Sequence, residues 1–249
     1  MVWIAAFLYL RCSEVIECSD EAKKYVDYRD VDEKTRSRMN MLFAVSQKKF
    51  WHRKRAFDIA AAVGSTLILW PAYLLIALII FIDDPHGSPI YRQKRVGRHG
   101  EEFLMYKFRT MVVDADAKKA ALMTQNEADG PVFKMKNDPR ITRFGRLLRK
   151  TSIDEMLQIP FNVLPGNMSF VGPRPPLPEE FAQYTDYQKL RLVVTPGLTC
   201  YWQTTENRND VDFDSWIDMD IEYIRKRNIW VDLKLIFKTL KVLFKKEGR

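Results

Sequence analysis

The chain has 249 residues, with 40 Lys plus Arg against 32 Asp plus Glu and a formal net charge of +8. That length allows one sizeable core with appendages rather than two equal domains, and the sign of the charge suits an anionic partner: phospholipid headgroups, nucleic acid or a phosphorylated substrate. Cys12, Cys18 and Cys200 are odd in number and lack C-x-x-C spacing, which excludes a disulfide framework and points to a reducing, cytosol-facing compartment.

His52, His86 and His99 are too scattered for a helical zinc pair, and no P-loop, G-x-G-x-x-G or G-x-S-x-G occurs. A bound metal would therefore be held by carboxylates, which favours Mg²⁺.

In chain order, the opening MVWIAAFLYL is apolar but too short to span a bilayer and lacks the marks of a cleaved secretory signal. A mixed-charge stretch follows, and residues 1–50 are expected to form an accessory segment. Residues 59–82 then run for 24 positions without a charge, enough to cross a membrane. Lys48, Lys49, Arg53, Lys54 and Arg55 precede this run, and Arg92, Lys94, Arg95 and Arg98 follow it. Since positive residues prefer the cytoplasmic side, basic residues at both ends suggest that both ends stay there.

Pro71 sits in the middle of the run, where it leaves the carbonyl of Leu67 without a partner. Ser65 and Thr66 could satisfy freed carbonyls. Three readings stay open at this point: a re-entrant helix over residues 51–83 broken at Pro71, a kinked single crossing, or a buried core helix.

Residues 84–249 are expected to form the main domain. PIYRQKRVG and EEFLMYKFRTM, joined by RHG, read as a small β-hairpin with basic residues among aromatics. Residues 114–139 read as a helix followed by a long loop. DPRITRFGRLLRKTS places Arg140, Arg143, Arg146 and Arg149 at three-residue spacing on one helical stripe, either a solvated face or a phosphate-facing one. LPGNMSFVGPRPPLPEE is a rigid loop that can hold Arg174 in place. At the end, Lys234, Lys238, Lys241 and Lys245 line one side of a helix, with Leu233, Ile236, Phe237, Leu240 and Phe244 on the opposite side. That pattern suits a helix in a membrane interface or one packed on a core.

Asp154 and Glu155 in LLRKTSIDEMLQIP admit two readings. Thr151-x-x-Asp154 and Ser152-x-x-Glu155 both fit the helix capping box, a structural role. The neighbours say more: a helix N-terminus attracts phosphate, Arg149 and Arg174 can bind its oxygens, and paired carboxylates can hold Mg²⁺. A carboxylate placed there could attack phosphorus.

KRAFDIAAAVG, GSPIYRQKRVGRHGEEFLMYKFRTM, ITRFGRLLRKTSIDEMLQIPFNVLPGNMSFVGPRPPLP, TPGLTCYWQ and YIRKRNIWVDLKLIFKTLKVLF together closely resemble the bacterial sugar transferase family, the monotopic phosphoglycosyl transferases. The resemblance implies an α/β, mostly helical monotopic membrane protein at the cytoplasmic face of the bacterial inner membrane. It also implies transfer of a sugar 1-phosphate from a UDP-sugar to undecaprenyl phosphate, with release of UMP.

By the same resemblance, Asp154 matches the nucleophile that becomes covalently sugar-phosphorylated, and Glu155 its partner carboxylate, the two also holding Mg²⁺. Arg149 and Arg174 match phosphate-site arginines, Lys107 and Arg109 are candidates for nucleotide or phosphate contact, and Pro71 matches the proline of a re-entrant helix. Trp70 precedes that proline where relatives often carry Ser. TCYWQTTENRND departs from the family's usual run toward its exopolysaccharide branch, so Gln203 and Arg208 are substrate-binding candidates without a sugar assignment. A homodimer is left open. The competing reading is a non-enzymatic membrane adaptor binding anionic lipid, while the apolar run argues against a nucleic-acid binder.

Overall fold

The computed structural model describes residues 48–122, 124, 135, 137–205 and 211–244. Most of the 1–50 segment lies outside the described residues, as do Arg208 and Lys245. Helix α1, Lys48–Asp83, has 36 residues, about 54 Å if straight. Its stretch Phe50–Asp83 is long and apolar enough to cross a membrane.

Pro71 lies inside α1 and does not end it. Pro71 thus does not interrupt the helix, because a proline removes one donor while the turns on either side keep their helical bonds, and a change of direction there takes the form of a bend within α1. Ser65 does donate to a carbonyl, but to that of Ala61 at 2.6 Å, not to that of Leu67. The Thr66 hydroxyl is buried with no hydrogen-bond partner among the described residues.

The two ends of α1 are embedded in the rest of the protein. Near its start, Lys54 pairs with Asp232 at 2.5 Å, and Arg55 donates to the carbonyls of Val163 and Leu164, both at 2.6 Å. Ala62 packs with Met105, Val163 and Met168. Near its end, Tyr73, Ile76, Ala77 and Ile80 pack with Phe108, Leu148 and Leu157. Between them Leu67, Ile68, Trp70, Leu74 and Leu75 stand exposed.

Strands β1, Ile90–Val96, and β2, Glu102–Phe108, form the expected hairpin, antiparallel with Ile90 opposite Phe108 and Val96 opposite Glu102. His99 at φ 57° and Gly100 at φ 80° make its turn. Alternation along the strands puts Tyr91, Gln93 and Arg95 across from Lys107, Met105 and Phe103 on one face.

After β2 come α2, Ala115–Leu122, and α3, Arg143–Thr151. A second sheet pairs β3, Ser169–Val171, in parallel with β4, Gly197–Thr199. A Cβ on Gly197 would stand 2.1 Å from the Gly172 nitrogen, so these backbones approach only because neither residue has a side chain.

Two four-residue helices, α4 (Pro178–Phe181) and α5 (Asp186–Lys189), lie between those strands. Helix α6, Phe213–Lys226, is capped by Asp212, whose carboxylate accepts from Ser215 N at 2.8 Å. It places Ile217, Ile221 and Ile224 on one stripe, against Val171, Leu190, Val193, Val194 and Leu235. Among the described residues the architecture is thus mostly helical with two small sheets.

Helix α7, Ile229–Phe244, has three faces rather than the expected two. Asp232 and Leu235 are buried. Trp230, Phe237 and Leu240 are exposed beside Lys234, Lys238 and Lys241, not opposite them. The exposed surface therefore carries an apolar and a basic stripe together.

Candidate active site

Helix α3 starts at Thr142, whose hydroxyl accepts from Gly145 N at 3.0 Å. Gly145 is required by packing, because a Cβ there would stand 2.1 Å from the Thr110 carbonyl. This contact presses α3 onto the end of β2, and Arg149 then donates from Nε to Thr110 Oγ1 at 2.9 Å.

The four-arginine stripe does not form as one surface. Arg140 lies before the cap and is buried against Asp138 at 2.6 Å. Arg143 and Arg146 are exposed, and only Arg149 turns toward the carboxylates. The stripe fails because Thr142 starts the helix two residues after Arg140.

The capping boxes are also absent. Thr151 is the last residue of α3 and donates back to the Leu147 carbonyl at 2.9 Å. Ser152 adopts the left-handed conformation, φ 54° and ψ 19°, and makes no side-chain cap. This turn reverses the chain into a short 3₁₀ turn, Ile153–Glu155. The carboxylates therefore sit just past the C-terminus of α3, not at the N-terminus of a regular helix.

Glu155 is bound by two cations, Lys107 Nζ at 2.8 Å and Arg174 Nη1 at 3.4 Å, both to Oε1. Asp154 is 9% exposed. Burial first and the neighbouring Glu155 second push its pKa up to about 6, against the pull of Lys107, Arg149 and Arg174. Burial pulls Lys107 down to about 8, against the effect of Glu155. Burial also lowers Arg149, opposed chiefly by Asp154. Burial acts to lower Arg174 as well, but Glu155 and other acidic neighbours outweigh it and its pKa is raised. Two adjacent carboxylates thus have different states: Glu155 is paired, while Asp154 is a poised base or nucleophile among three cations.

Lys107, Arg149, Asp154, Glu155 and Arg174 come together. Arg109 does not join them: it clasps the Asp84 carboxylate at 2.9 Å and the Asp84 carbonyl, holding the chain where α1 ends. Gln203 lies in the 3₁₀ turn Trp202–Thr204, which packs against α6 and α7.

Among the described residues no group of three or more His, Cys, Asp or Glu side chains could hold a metal ion. Asp154 and Glu155 fit Mg²⁺ only as a partial donor set completed by substrate phosphate and water, the manner in which that ion is usually held.

Sequence reasoning missed Thr110, Arg95 and Arg191. Period-two alternation offered a signal for one of them, since it puts Arg95 on the same hairpin face as Lys107. Thr110 and Arg191 have no such signal.

The sequence profile described as bacterial sugar transferase matches residues 48–246. The galactosyl transferase CpsE of Streptococcus agalactiae serotype III (strain NEM316) is 45% identical over 190 residues, covering 76% of this chain and 42% of that protein. The undecaprenyl-phosphate galactose phosphotransferase of Salmonella typhimurium (strain LT2) is 41% identical over 203 residues, covering 78% and 41%. The exopolysaccharide production protein ExoY of Rhizobium meliloti is 37% identical over 191 residues, covering 75% and 83%. The chain spans about two fifths of the length of the first two of these relatives. The profile takes in everything from α1 to α7, including each side chain around Asp154. The chain belongs to the bacterial sugar transferase family.

Proposed function

We propose that this protein moves a sugar 1-phosphate from a UDP-sugar to undecaprenyl phosphate at the cytoplasmic face of the bacterial inner membrane, starting an exopolysaccharide or other surface glycan. The observation that carries this reading is Asp154: nearly buried, raised to about 6, and surrounded by Lys107, Arg149 and Arg174 beside a paired Glu155. The relatives named for galactose phosphotransfer to undecaprenyl phosphate and for exopolysaccharide production agree with it.

In the first step, Asp154 Oδ attacks the phosphorus that carries the sugar. A new carboxyl–phosphate bond forms as the bond to the uridylyl oxygen breaks, and UMP leaves. In the second, an oxygen of undecaprenyl phosphate attacks the same phosphorus, the carboxylate departs, and the lipid diphosphate sugar results. Arg149 and Arg174 would hold the diphosphate oxygens, and Lys107 would neutralise charge developing on the leaving UMP. Mg²⁺ held by Asp154 and Glu155 would supply further charge neutralisation at the diphosphate when bound.

The membrane reading rests on α1. Its two ends pack on the same body while its middle is bare, which fits a helix that dips into one leaflet and returns. A straight helix would hold Ala62 and Ile80 about 27 Å apart. They pack in clusters containing Met105 and Phe108, which stand only about 10 Å apart along β2. Pro71, inside the continuous helix, is the natural place for a bend. The exposed apolar and basic stripes of α7 suit the same interface.

The test is UMP release from UDP-sugars with undecaprenyl phosphate, using the full chain and Asp154→Asn. The substituted chain should keep its fold and lose turnover by at least about 10⁴-fold, the scale of removing a covalent nucleophile. Full activity in a folded Asp154→Asn chain would overturn the assignment. Anionic-lipid binding without UMP release from the unaltered chain would favour the adaptor reading.

A further inference from the structure

Arg174 lies in Pro173–Arg174–Pro175–Pro176, a run with one main-chain donor among four residues. Such a segment cannot satisfy its carbonyls by folding on itself, so each needs a donor from elsewhere. All four have one. The Pro173 carbonyl accepts from Gly197 N at 3.0 Å and that of Pro176 from Val96 N at 2.9 Å. The two between them are taken by side chains. Arg191 Nη2 donates to the Arg174 carbonyl at 3.1 Å, and Arg95 Nη1 donates to that of Pro175 at 3.0 Å.

Both donors are buried guanidinium groups, with Arg191 3% and Arg95 8% exposed. Burying a cation is costly unless it is paired or fully hydrogen-bonded, and a neutral amide or hydroxyl could satisfy a carbonyl at less cost. What a guanidinium adds is a rigid fork gripped at several points. Arg191 is held by Asp220 at 2.5 Å and by the Tyr184 hydroxyl at 3.2 Å. Arg95 is held by Gln93 Oε1, at 2.8 Å from Nη2 and 3.2 Å from Nε. The carbonyls of Arg174 and Pro175 are thereby tied to β1, to the turn Leu190–Val193 and, through Asp220, to α6.

We propose that Arg191 and Arg95 are positioning residues: they touch no substrate, and they set the main chain of Arg174 so that its guanidinium reaches Glu155 and the diphosphate of the donor. The inference rests on reading the Asp154 site as a diphosphate-binding centre. The Arg174–Glu155 contact, at 3.4 Å, has little slack. A displacement of about 1 Å at such a group is enough to cost on the order of a hundredfold in rate.

A double-mutant cycle with the full chain in detergent tests this. Arg191→Gln and Arg95→Gln are each made alone and with Arg174→Lys, and kcat/KM for UMP release is measured with the thermal midpoint and the affinity for UDP. Alone, each should lower kcat/KM by about ten- to hundredfold. Over Arg174→Lys, each should cost less than about threefold, because the interaction through which it acts is already gone. Equal losses in both backgrounds, or losses that follow the thermal midpoint, would overturn the proposal.

Arg95→Gln leaves no carboxylate orphaned, so it decides the matter if Arg191→Gln does not fold. UDP affinity needs no turnover and closes the cycle if Arg174→Lys is too slow to assay. An unaltered chain that neither binds UDP nor releases UMP would instead refute the reading of the site itself.

Discussion

Pro71 in α1 and the prolines of Pro173–Pro176 remove main-chain donors alike, and the molecule treats the two losses differently. In α1 one carbonyl is affected, that of Leu67, in a stretch where Leu67, Ile68, Trp70, Leu74 and Leu75 stand exposed. In the Arg174 segment each of four carbonyls meets a donor brought from β1, β4 or a buried arginine. The first region can yield to its surroundings. The second is held from several sides, which suits the phosphate contact proposed for Arg174.

The largest break in this contrast comes from Gly145→Val. Even its Cβ would collide with the Thr110 carbonyl, so α3 must move off β2 and take Arg149 with it. A loss of about 3 kcal/mol in stability and at least about a hundredfold in UMP release is expected. A variant with normal turnover would show that α3 need not be held as tightly as the Arg174 segment.

Next comes pH, because the held region contains a carboxylate and an amine shifted toward neutrality. In the proposed mechanism Asp154, held up at about 6, must be ionised to attack, and Lys107, held down at about 8, must keep its proton. kcat/KM should therefore rise with pH to a plateau between those values and fall above it. At pH 5 it should stand about tenfold below the plateau. A profile unchanged from pH 5 to 9 would remove both groups from the mechanism.

The smallest effects compare the prolines directly. Pro175 is buried, and Pro175→Ala adds a donor with no acceptor provided, at a cost of about 1 to 3 kcal/mol. Pro71→Ala restores the missing bond to Leu67, so the thermal midpoint in detergent should hold or rise slightly. Its effect should appear instead in the placement of the end of α1, read by labelling of single cysteines introduced near Asp84. Equal destabilisation by the two changes would erase the contrast.

Much of this was legible in the sequence where the signal is local. The uncharged run gave α1, and alternation with RHG between two strand-like pieces gave the hairpin. What escaped depends on residues far apart in the chain. Arg109 looked like a phosphate ligand until Asp84, 25 residues earlier, took it. The β3–β4 pairing joins short segments with Gly172 and Gly197 in contact, and no periodicity announces it. At the carboxylates, local reasoning misled: hydroxyl-x-x-acid spacing suggested a helix start, but the left-handed Ser152 makes it the reversal after a helix end. The resemblance and its chemistry named Lys107, Arg149, Asp154, Glu155 and Arg174, which the fold brings together. The partners that hold Arg149 and Arg174 were not named by it.

One feature of α1 bears on attempts to shorten that helix. Its first turns carry Lys54, which meets the interior Asp232, and Arg55, which caps the carbonyls of Val163 and Leu164. Deleting the long apolar helix wholesale would strand an acid inside the protein, next to the Tyr223 hydroxyl that shares it. A shortened version would have to keep both Lys48–Ala62 and Tyr73–Asp83 and alter only the exposed stretch between them, since each end of α1 doubles as a wall of the domain.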